Sequence, residues 1–89
     1  MGKYADAIDN YDIALKYNPN DAATFNNKGI CLKNLCKPEQ AVIEFEKAIA
    51  LKPNRPLYYC NIAQSLLQLG RDREALDHLN SAYDLFAED

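Results

Sequence analysis

The feature that most constrains this chain is a self-similarity at an offset of 34 residues. Each unit carries two alanines seven residues apart, with a bulky apolar residue between them. The alanines are Ala7 and Ala14, Ala41 and Ala48, and Ala75 and Ala82, and the bulky residues are Tyr11, Phe45 and Leu79. Because residues at i, i+4 and i+7 share one face of an α-helix, the pattern predicts helices that pack closely through small side chains.

An earlier segment of each full unit has the same helical spacing. Phe25, Gly29 and Leu32 lie at i, i+4 and i+7, and the residues one repeat later are Tyr59, Ala63 and Leu66. Glycine inside a helix costs about 1 kcal/mol of helix propensity, so Gly29 indicates a packing requirement. Each full unit is therefore predicted to be two amphipathic helices packed face to face.

Prolines and caps divide the chain into five predicted helices. Pro19 and Pro53 are one repeat apart and end helices, because proline lacks the amide donor. Asp21 suits the N-cap of the next helix, and Gly70 suits a helix stop. The predicted helices span roughly residues 3–17, 22–35, 38–51, 56–69 and 72–86.

These residues resemble the tetratricopeptide repeat (TPR) family, whose pattern is an aromatic, a small residue, an apolar residue, then A-x-x-x-F-x-x-A and a closing proline. The resemblance implies an all-α fold, a right-handed superhelix of antiparallel helical hairpins. It also implies a single domain over residues 1–89. Within it, residues 1–21 are the second helix of a partial repeat, and residues 22–55 and 56–89 are full repeats.

The chain departs from the family pattern in ways that affect its ends. Lys28 stands where the family prefers leucine, and the chain begins halfway through a repeat. The first helix is therefore expected to leave an apolar face uncovered, formed by Tyr4, Ile8, Tyr11 and Leu15. Arrays of this kind normally need about three repeats and polar capping helices. We therefore expect a fragment of a longer protein, with a homodimer as the alternative.

Composition excludes several classes of function. With 10 Lys and Arg against 13 Asp and Glu, the net charge of −3 disfavours nucleic-acid binding. No apolar run approaches the ~18 residues of a membrane span. Cys31, Cys36 and Cys60 are an odd number with no C-x-x-C pair, which indicates a reduced chain in the cytoplasm.

The inventory of reactive groups predicts a non-catalytic chain without cofactor or metal. The single histidine, His78, is expected to face solvent, and the cysteines are expected to be inert packing residues. Asp6, Asp9 and Asp12 are interpreted as a solvated acidic face of the first helix. The nine aromatic residues are interpreted mostly as core: Tyr4, Tyr11, Tyr17, Phe25, Phe45, Tyr58, Tyr59, Tyr83 and Phe86.

The resemblance also implies where a partner binds, because the first helix of each TPR hairpin lines the concave face. The predicted binding residues are Asn26, Asn27, Ile30, Lys33, Asn34, Leu57, Asn61, Gln64 and Gln68. Asn27 and Asn61 are one repeat apart, at a position where the family often has an asparagine that binds a peptide backbone. The alternative is that they solvate the groove or bond a neighbouring helix.

The predicted function is a scaffold that binds another protein or peptide, either extended or helical. A lysine-asparagine-arginine clamp for a terminal carboxylate, known in some TPR proteins, is disfavoured because Leu57 and Asn61 occupy the basic positions. Two alternatives stay open: a self-associating architectural module that dimerises through its end helices, and a regulatory module of a larger enzyme.

Overall fold

The computed structural model describes residues 2–88 and contains, within them, five α-helices and no strand. The helices are α1 (Gly2–Tyr17), α2 (Ala22–Asn34), α3 (Pro38–Leu51), α4 (Pro56–Gln68) and α5 (Asp72–Glu88). Each packs on the next along the chain, so that α2 with α3 and α4 with α5 form two hairpins. The all-α prediction is confirmed, and every predicted helix end lies within two residues of the observed one.

The helix starts follow from local sequence chemistry. Asp21 is the N-cap of α2, where its carboxylate accepts a hydrogen bond from the amide of Thr24 at 3.4 Å. Pro38 and Pro56 are the first residues of α3 and α4, a position where a missing amide donor costs nothing. These caps fix where each chain segment turns, and so they set the register in which the hairpins meet.

The chain leaves α2 and α4 with the same backbone geometry, although different residue types occupy the turn. Gly70 has a φ of +75°, and its amide and that of Arg71 bond back to Leu67 and Leu66. One repeat earlier Cys36 adopts a φ of +61° in the same arrangement. A side chain in this left-handed conformation is strained by about 1–2 kcal/mol, whereas glycine is not. The first hairpin therefore closes with a residue that its turn disfavours.

The core is built on the alanine stripes of the second helices of the hairpins. Ala41, Phe45 and Ala48 on α3 are each 0% exposed, because α2 and α4 cover them from two sides. The main cluster joins three helix pairs through Leu32, Ala41, Val42, Phe45, Ile62, Ala63, Leu66 and Ala75. The small residues allow the helices to approach, and the large ones fill the space between them.

Gly29 on α2 lies directly against the ring of Phe45 on α3. A Cβ atom built on Gly29 would lie 2.6 Å from Cε1 and 2.7 Å from Cδ1 of Phe45. Because the Phe45 ring is fully buried, it has no free space into which to move. One repeat later the aligned pair is Ala63 and Leu79. Ala63 is larger than Gly29, and Leu79 is smaller than Phe45. The summed side-chain volume of the aligned pair is thus similar in the two repeats.

The first helix, α1, is attached more loosely than the others. None of its described residues is fully buried, and it packs on α2 alone among the described helices. The prediction that Ile8, Tyr11 and Leu15 are uncovered is wrong: all three are half-buried, and Ile8 packs against the main cluster. Of the predicted set only Tyr4 is exposed. The sequence predicts that no helix covers this apolar face, whereas α2 covers most of it.

Lys28 links α1 and α3 through an ion network where the family prefers leucine. Its Nζ lies 2.7 Å from Oδ1 of Asp12 and 3.7 Å from Oε1 of Glu44. Lys47 approaches the other oxygen of Glu44 at 3.3 Å. Burial lowers the pKa of Lys28, but the hydrogen bond to Asp12 and the charges of Glu44 and Asp12 outweigh it, so the pKa is raised. The lysine is therefore held charged in a half-buried place.

The interpretation of the aromatic residues as core is wrong for several of them. Phe45 and Tyr58 are buried, and Tyr11, Phe25 and Tyr59 are half-buried. Four others are exposed, namely Tyr4, Tyr17, Tyr83 and Phe86. Helical spacing alone does not separate the two cases, because it identifies a shared face without showing whether another helix covers it.

Substituting Gly29 tests the close approach. Alanine gains about 1 kcal/mol of helix propensity, but overpacking against Phe45 costs about 1–3 kcal/mol. We therefore expect Gly29→Ala to lower the free energy of unfolding, measured by urea denaturation. In a Phe45→Leu background, which copies the Ala63 and Leu79 pair, the same change should cost less. A Gly29→Ala protein more stable than the parent would contradict this packing.

The turn geometry yields a reciprocal pair of substitutions. Cys36→Gly should raise the free energy of unfolding by about 0.5–1 kcal/mol, because relief of the left-handed strain exceeds the entropy cost of glycine. Gly70→Cys should lower the free energy of unfolding by a similar amount, because it introduces the same left-handed strain. Nothing lies within 4 Å of a Cβ there, so the change adds no steric clash. Cys36→Ala keeps the strain and serves as the control for loss of the thiol. Equal stability of all three proteins and the parent would show that the turn carries no strain.

Candidate peptide-binding face

The nine predicted binding residues lie on the first helices of the two hairpins, α2 and α4. We call them the α2–α4 face: Asn26, Asn27, Ile30, Lys33, Asn34, Leu57, Asn61, Gln64 and Gln68. Two hydrogen bonds between side chains join the two helices across it. The face therefore has a defined seam, and its residues divide into those that form the seam and those that flank it.

The buried part of the seam is an asparagine pair. Nδ2 of Asn61 donates to Oδ1 of Asn26 at 2.9 Å, and the two residues are 7% and 4% exposed. A buried amide needs such a partner, because leaving it unpaired costs about 1–3 kcal/mol. Asn61 thus bonds the neighbouring helix, which is one of the two roles considered for it from the sequence.

Asn27 differs from Asn61 although the two are one repeat apart. Asn27 is exposed, so its amide is open to solvent on the face. The repeat alignment treats the two asparagines as equivalent, whereas within residues 2–88 Asn61 bonds Asn26 and is buried, and Asn27 is exposed.

The exposed part of the seam is a bond from Nζ of Lys33 to Oε1 of Gln64. Lys33 is half-buried, while Gln64, Gln68 and Asn34 are exposed beside it. Lys33 is also the one charged residue among the nine of the α2–α4 face. The flanks of the seam therefore present mostly neutral amides that can both donate and accept hydrogen bonds.

Apolar surface on the face is limited. Leu57, near the start of α4, is 59% exposed, whereas Ile30 is half-buried and packs against the main cluster. Leu67, also on α4, is 52% exposed. The face thus offers a few apolar contacts among amides, a combination that suits a peptide with alternating side chains.

No arrangement of reactive groups accompanies this face. Among residues 2–88, no group of three or more His, Cys, Asp and Glu side chains could hold a metal ion. Burial raises the pKa of the Cys31 thiol, which disfavours the nucleophilic thiolate. The prediction that His78 faces solvent is wrong: it is half-buried, with its ring centroid 5.9 Å from that of Tyr59. None of the helices in residues 2–88 is long and apolar enough to cross a membrane.

Comparison with known proteins decides the family. The family model for the tetratricopeptide repeat matches residues 21–88. This chain belongs to the tetratricopeptide repeat family. The match spans α2 to α5 and therefore includes both hairpins and the whole α2–α4 face.

Curated relatives share the repeat over most of this TPR chain. The chain is 37% identical to the peroxisomal targeting signal receptor of Candida glabrata over 75 residues, which cover 84% of the chain and 13% of the receptor. It is 36% identical to the receptor of the same name from Kluyveromyces lactis over 80 residues, 90% of the chain and 14% of the receptor. The chain thus spans only a small part of these relatives.

A solved structure shows the same fold. The TPR chain matches MamA MSR-1 with a TM-score of 0.91 at 30% identity, covering 97% of this chain and 49% of that one. This agreement supports the α-helical superhelix that the resemblance implied.

The asparagine pair can be tested by a double-mutant cycle. Asn61→Leu leaves a buried Asn26 oxygen without its donor, so we expect a loss of about 1–3 kcal/mol in the free energy of unfolding. Replacing both asparagines by leucine should cost less than the two single losses together, because no polar group is then left unpaired. Asn27→Leu, on the exposed equivalent, should change stability by less than about 0.5 kcal/mol. Additive losses would show that the pair is not coupled.

Proposed function

We propose that this chain is a non-catalytic scaffold that binds a peptide segment of another protein on the α2–α4 face. The observation that carries the proposal is the division of the face into a buried seam and exposed amides. The bond between Asn26 and Asn61 holds the helices, while Asn27, Gln64 and Gln68 remain open to solvent. A rigid platform with solvent-exposed amides suits recognition of a peptide backbone.

The chemistry of the exposed amides supports a peptide ligand. Each amide side chain offers donors and an acceptor, which matches the alternating N–H and C=O groups of an extended backbone. Leu57 and Leu67 supply apolar contacts for one or two side chains of the ligand. Lys33 favours a ligand with an acidic group near the seam, where it would compete with Gln64 for the ammonium.

Preorganisation supports the same proposal. Ordering side chains on binding costs about 0.5–1.5 kcal/mol for each flexible residue. The bond to Gln64 already restrains Lys33 in the free protein, which avoids part of that cost, and the bond between Asn26 and Asn61 already holds the helices that carry the exposed amides. The buried pair therefore acts on affinity by fixing the spacing of α2 and α4, without contact to the ligand.

The relatives are consistent with this function. The two curated relatives are named as receptors for a peroxisomal targeting signal. Their name is a precedent for a TPR protein that recognises a signal. Because this chain spans 13% and 14% of their length, we extend only the recognition of a peptide to it, and not the signal itself.

A selection experiment tests the proposal. A phage-displayed random peptide library is enriched on the immobilised chain, and the affinity of an enriched peptide is measured by fluorescence polarisation. The face variant combines Asn27→Ala, Asn34→Ala and Gln64→Ala, three exposed residues. We expect it to bind at least about tenfold more weakly than the parent, equivalent to ~1.4 kcal/mol.

The control carries the same kinds of substitution elsewhere: Asn10→Ala, Gln40→Ala and Asn80→Ala, on exposed positions of α1, α3 and α5. It should bind like the parent, and circular dichroism should show all three proteins folded. Equal binding by the parent and the face variant, or no enriched peptide, would reject the α2–α4 face as the binding site.

A further inference from the structure

The helices of this chain differ in the sign of the charge that they carry. None of the 13 Asp and Glu residues lies on α2 or α4, although the chain has a net charge of −3. Each of α1, α3 and α5 carries three or more of these acids. Lys28 and Lys33 are the charged residues of α2, and α4 has no charged residue. The two helices of the α2–α4 face are thus the electropositive part of an acidic chain, and such a part attracts anionic ligands.

The two lysines of α2 differ in their partners. Lys28 is neutralised, because carboxylate oxygens of Asp12 and Glu44 lie 2.7 Å and 3.7 Å from its Nζ. Lys33 forms no ion pair with any residue of the described range 2–88. Its Nζ donates instead to the neutral Oε1 of Gln64. Lys33 is thus the one cation of the α2–α4 face, and its partner there carries no charge that neutralises it.

Exposed amides flank the ammonium of Lys33. The residue is half-buried, and the bond to Gln64 holds its ammonium across the seam between α2 and α4. Partial burial strengthens the attraction between charges relative to bulk water. Asn34 on α2 and Gln68 on α4 are exposed beside this bond, one on each helix. A peptide that bonds to both of these amides therefore passes Lys33 with an internal residue.

We propose that Lys33 selects for acidic peptides by binding the side-chain carboxylate of an Asp or Glu residue within the ligand, which rests on the proposed binding of a peptide to the α2–α4 face. The carboxylate takes the place of the Gln64 oxygen, because it adds the attraction of opposite charges to the hydrogen bond. The amide of Gln64 is then released to bond to the ligand's backbone. A lysine or arginine at the same ligand position is repelled.

The single ammonium fits a side-chain carboxylate better than other anionic groups. A phosphoryl group carries a charge of about −1.5 to −2 and is commonly held by a cluster of arginines, whereas the α2–α4 face carries one lysine. A terminal carboxylate at Lys33 would place the end of the peptide at the seam. The exposed amides of one of the two helices would then have no ligand backbone to bind.

The test selects the random peptide library in parallel on the immobilised parent chain and on Lys33→Met. Peptides enriched on the parent should contain an acidic residue, and those enriched on Lys33→Met should not require one. One parent-selected peptide is then synthesised with an acetylated N-terminus and an amidated C-terminus. Replacing its acidic residue by the matching amide should weaken binding to the parent about fivefold, as expected for a partly exposed ion pair. The same replacement should not change binding to Lys33→Met.

Lys16→Met is the matched control for Lys33→Met. Both lysines lie in the last turn of a helix, where a cation complements the helix dipole. Lys16 is exposed on α1, away from the α2–α4 face. The control therefore removes the same kind of helix-end charge, and it should bind the acidic peptide like the parent.

Gln64→Glu supplies Lys33 with a carboxylate from within the chain. Glutamate has nearly the shape of glutamine, so this variant occupies the ammonium and repels the ligand's acidic residue. We expect it to bind the acidic peptide about fivefold more weakly than the parent does, and to lose the difference between the acidic peptide and its amide form. Gln40→Glu adds the same charge at an exposed position of α3 and should leave both affinities unchanged.

The outcomes separate this proposal from the proposed function. A folded parent chain that enriches no peptide would reject both. Peptides that bind to the α2–α4 face, but whose affinity changes neither with Lys33→Met nor with the acid-to-amide replacement, would overturn the role of Lys33 and leave peptide binding intact. A peptide that binds only with a free C-terminal carboxylate would also overturn it, because the terminus would then be the bound anion.

Discussion

The contact between Gly29 on α2 and the ring of Phe45 on α3 sets the distance between the two helices of the central hairpin. Phe45 is fully buried, and a Cβ on Gly29 would come within 2.6 Å of its ring. From that distance follows the burial of Ala41 and Ala48, which in turn lets α4 reach Val42. One hairpin thus provides the surface on which the next is built, as in other repeat proteins.

The same stacking positions the α2–α4 face. Because α2 and α4 both pack on α3, their outer faces lie side by side, and Asn26 and Asn61 meet at 2.9 Å. This bond contributes little net stability when made, but it is costly to leave unmade. It therefore specifies how the two helices are spaced, while the exposed amides around it are the ones that we propose bind a peptide.

Local features of the fold could be predicted from the sequence, and features that depend on helix crossing could not. Proline positions, the Asp21 cap and the alanine stripes are encoded within one turn or one repeat, and they gave the helices correctly. The asparagine pair joins residues 35 apart, one more than the repeat, so the alignment of Asn27 with Asn61 conceals it. The partners of Lys28 come from two other helices, and only their packing reveals them. The strained Cys36 could have been found, since it aligns with Gly70.

Burial of an apolar face is likewise a property of neighbours. Ile8 and Leu76 are aligned in the repeat, yet Ile8 packs against the core and Leu76 is 57% exposed. The sequence shows that both positions are apolar, but only the packing of the helices shows which of them is covered.

The central claim is that ligand peptides bind across the seam between α2 and α4. Mapping NMR chemical shifts while an enriched peptide is titrated into the labelled chain tests it most directly. The account predicts that the side-chain amides of Asn27, Gln64 and Gln68 shift most, while those of the Asn26 and Asn61 pair stay bonded to each other. Shifts concentrated on α1, α3 or α5, with those amides unchanged, would contradict it.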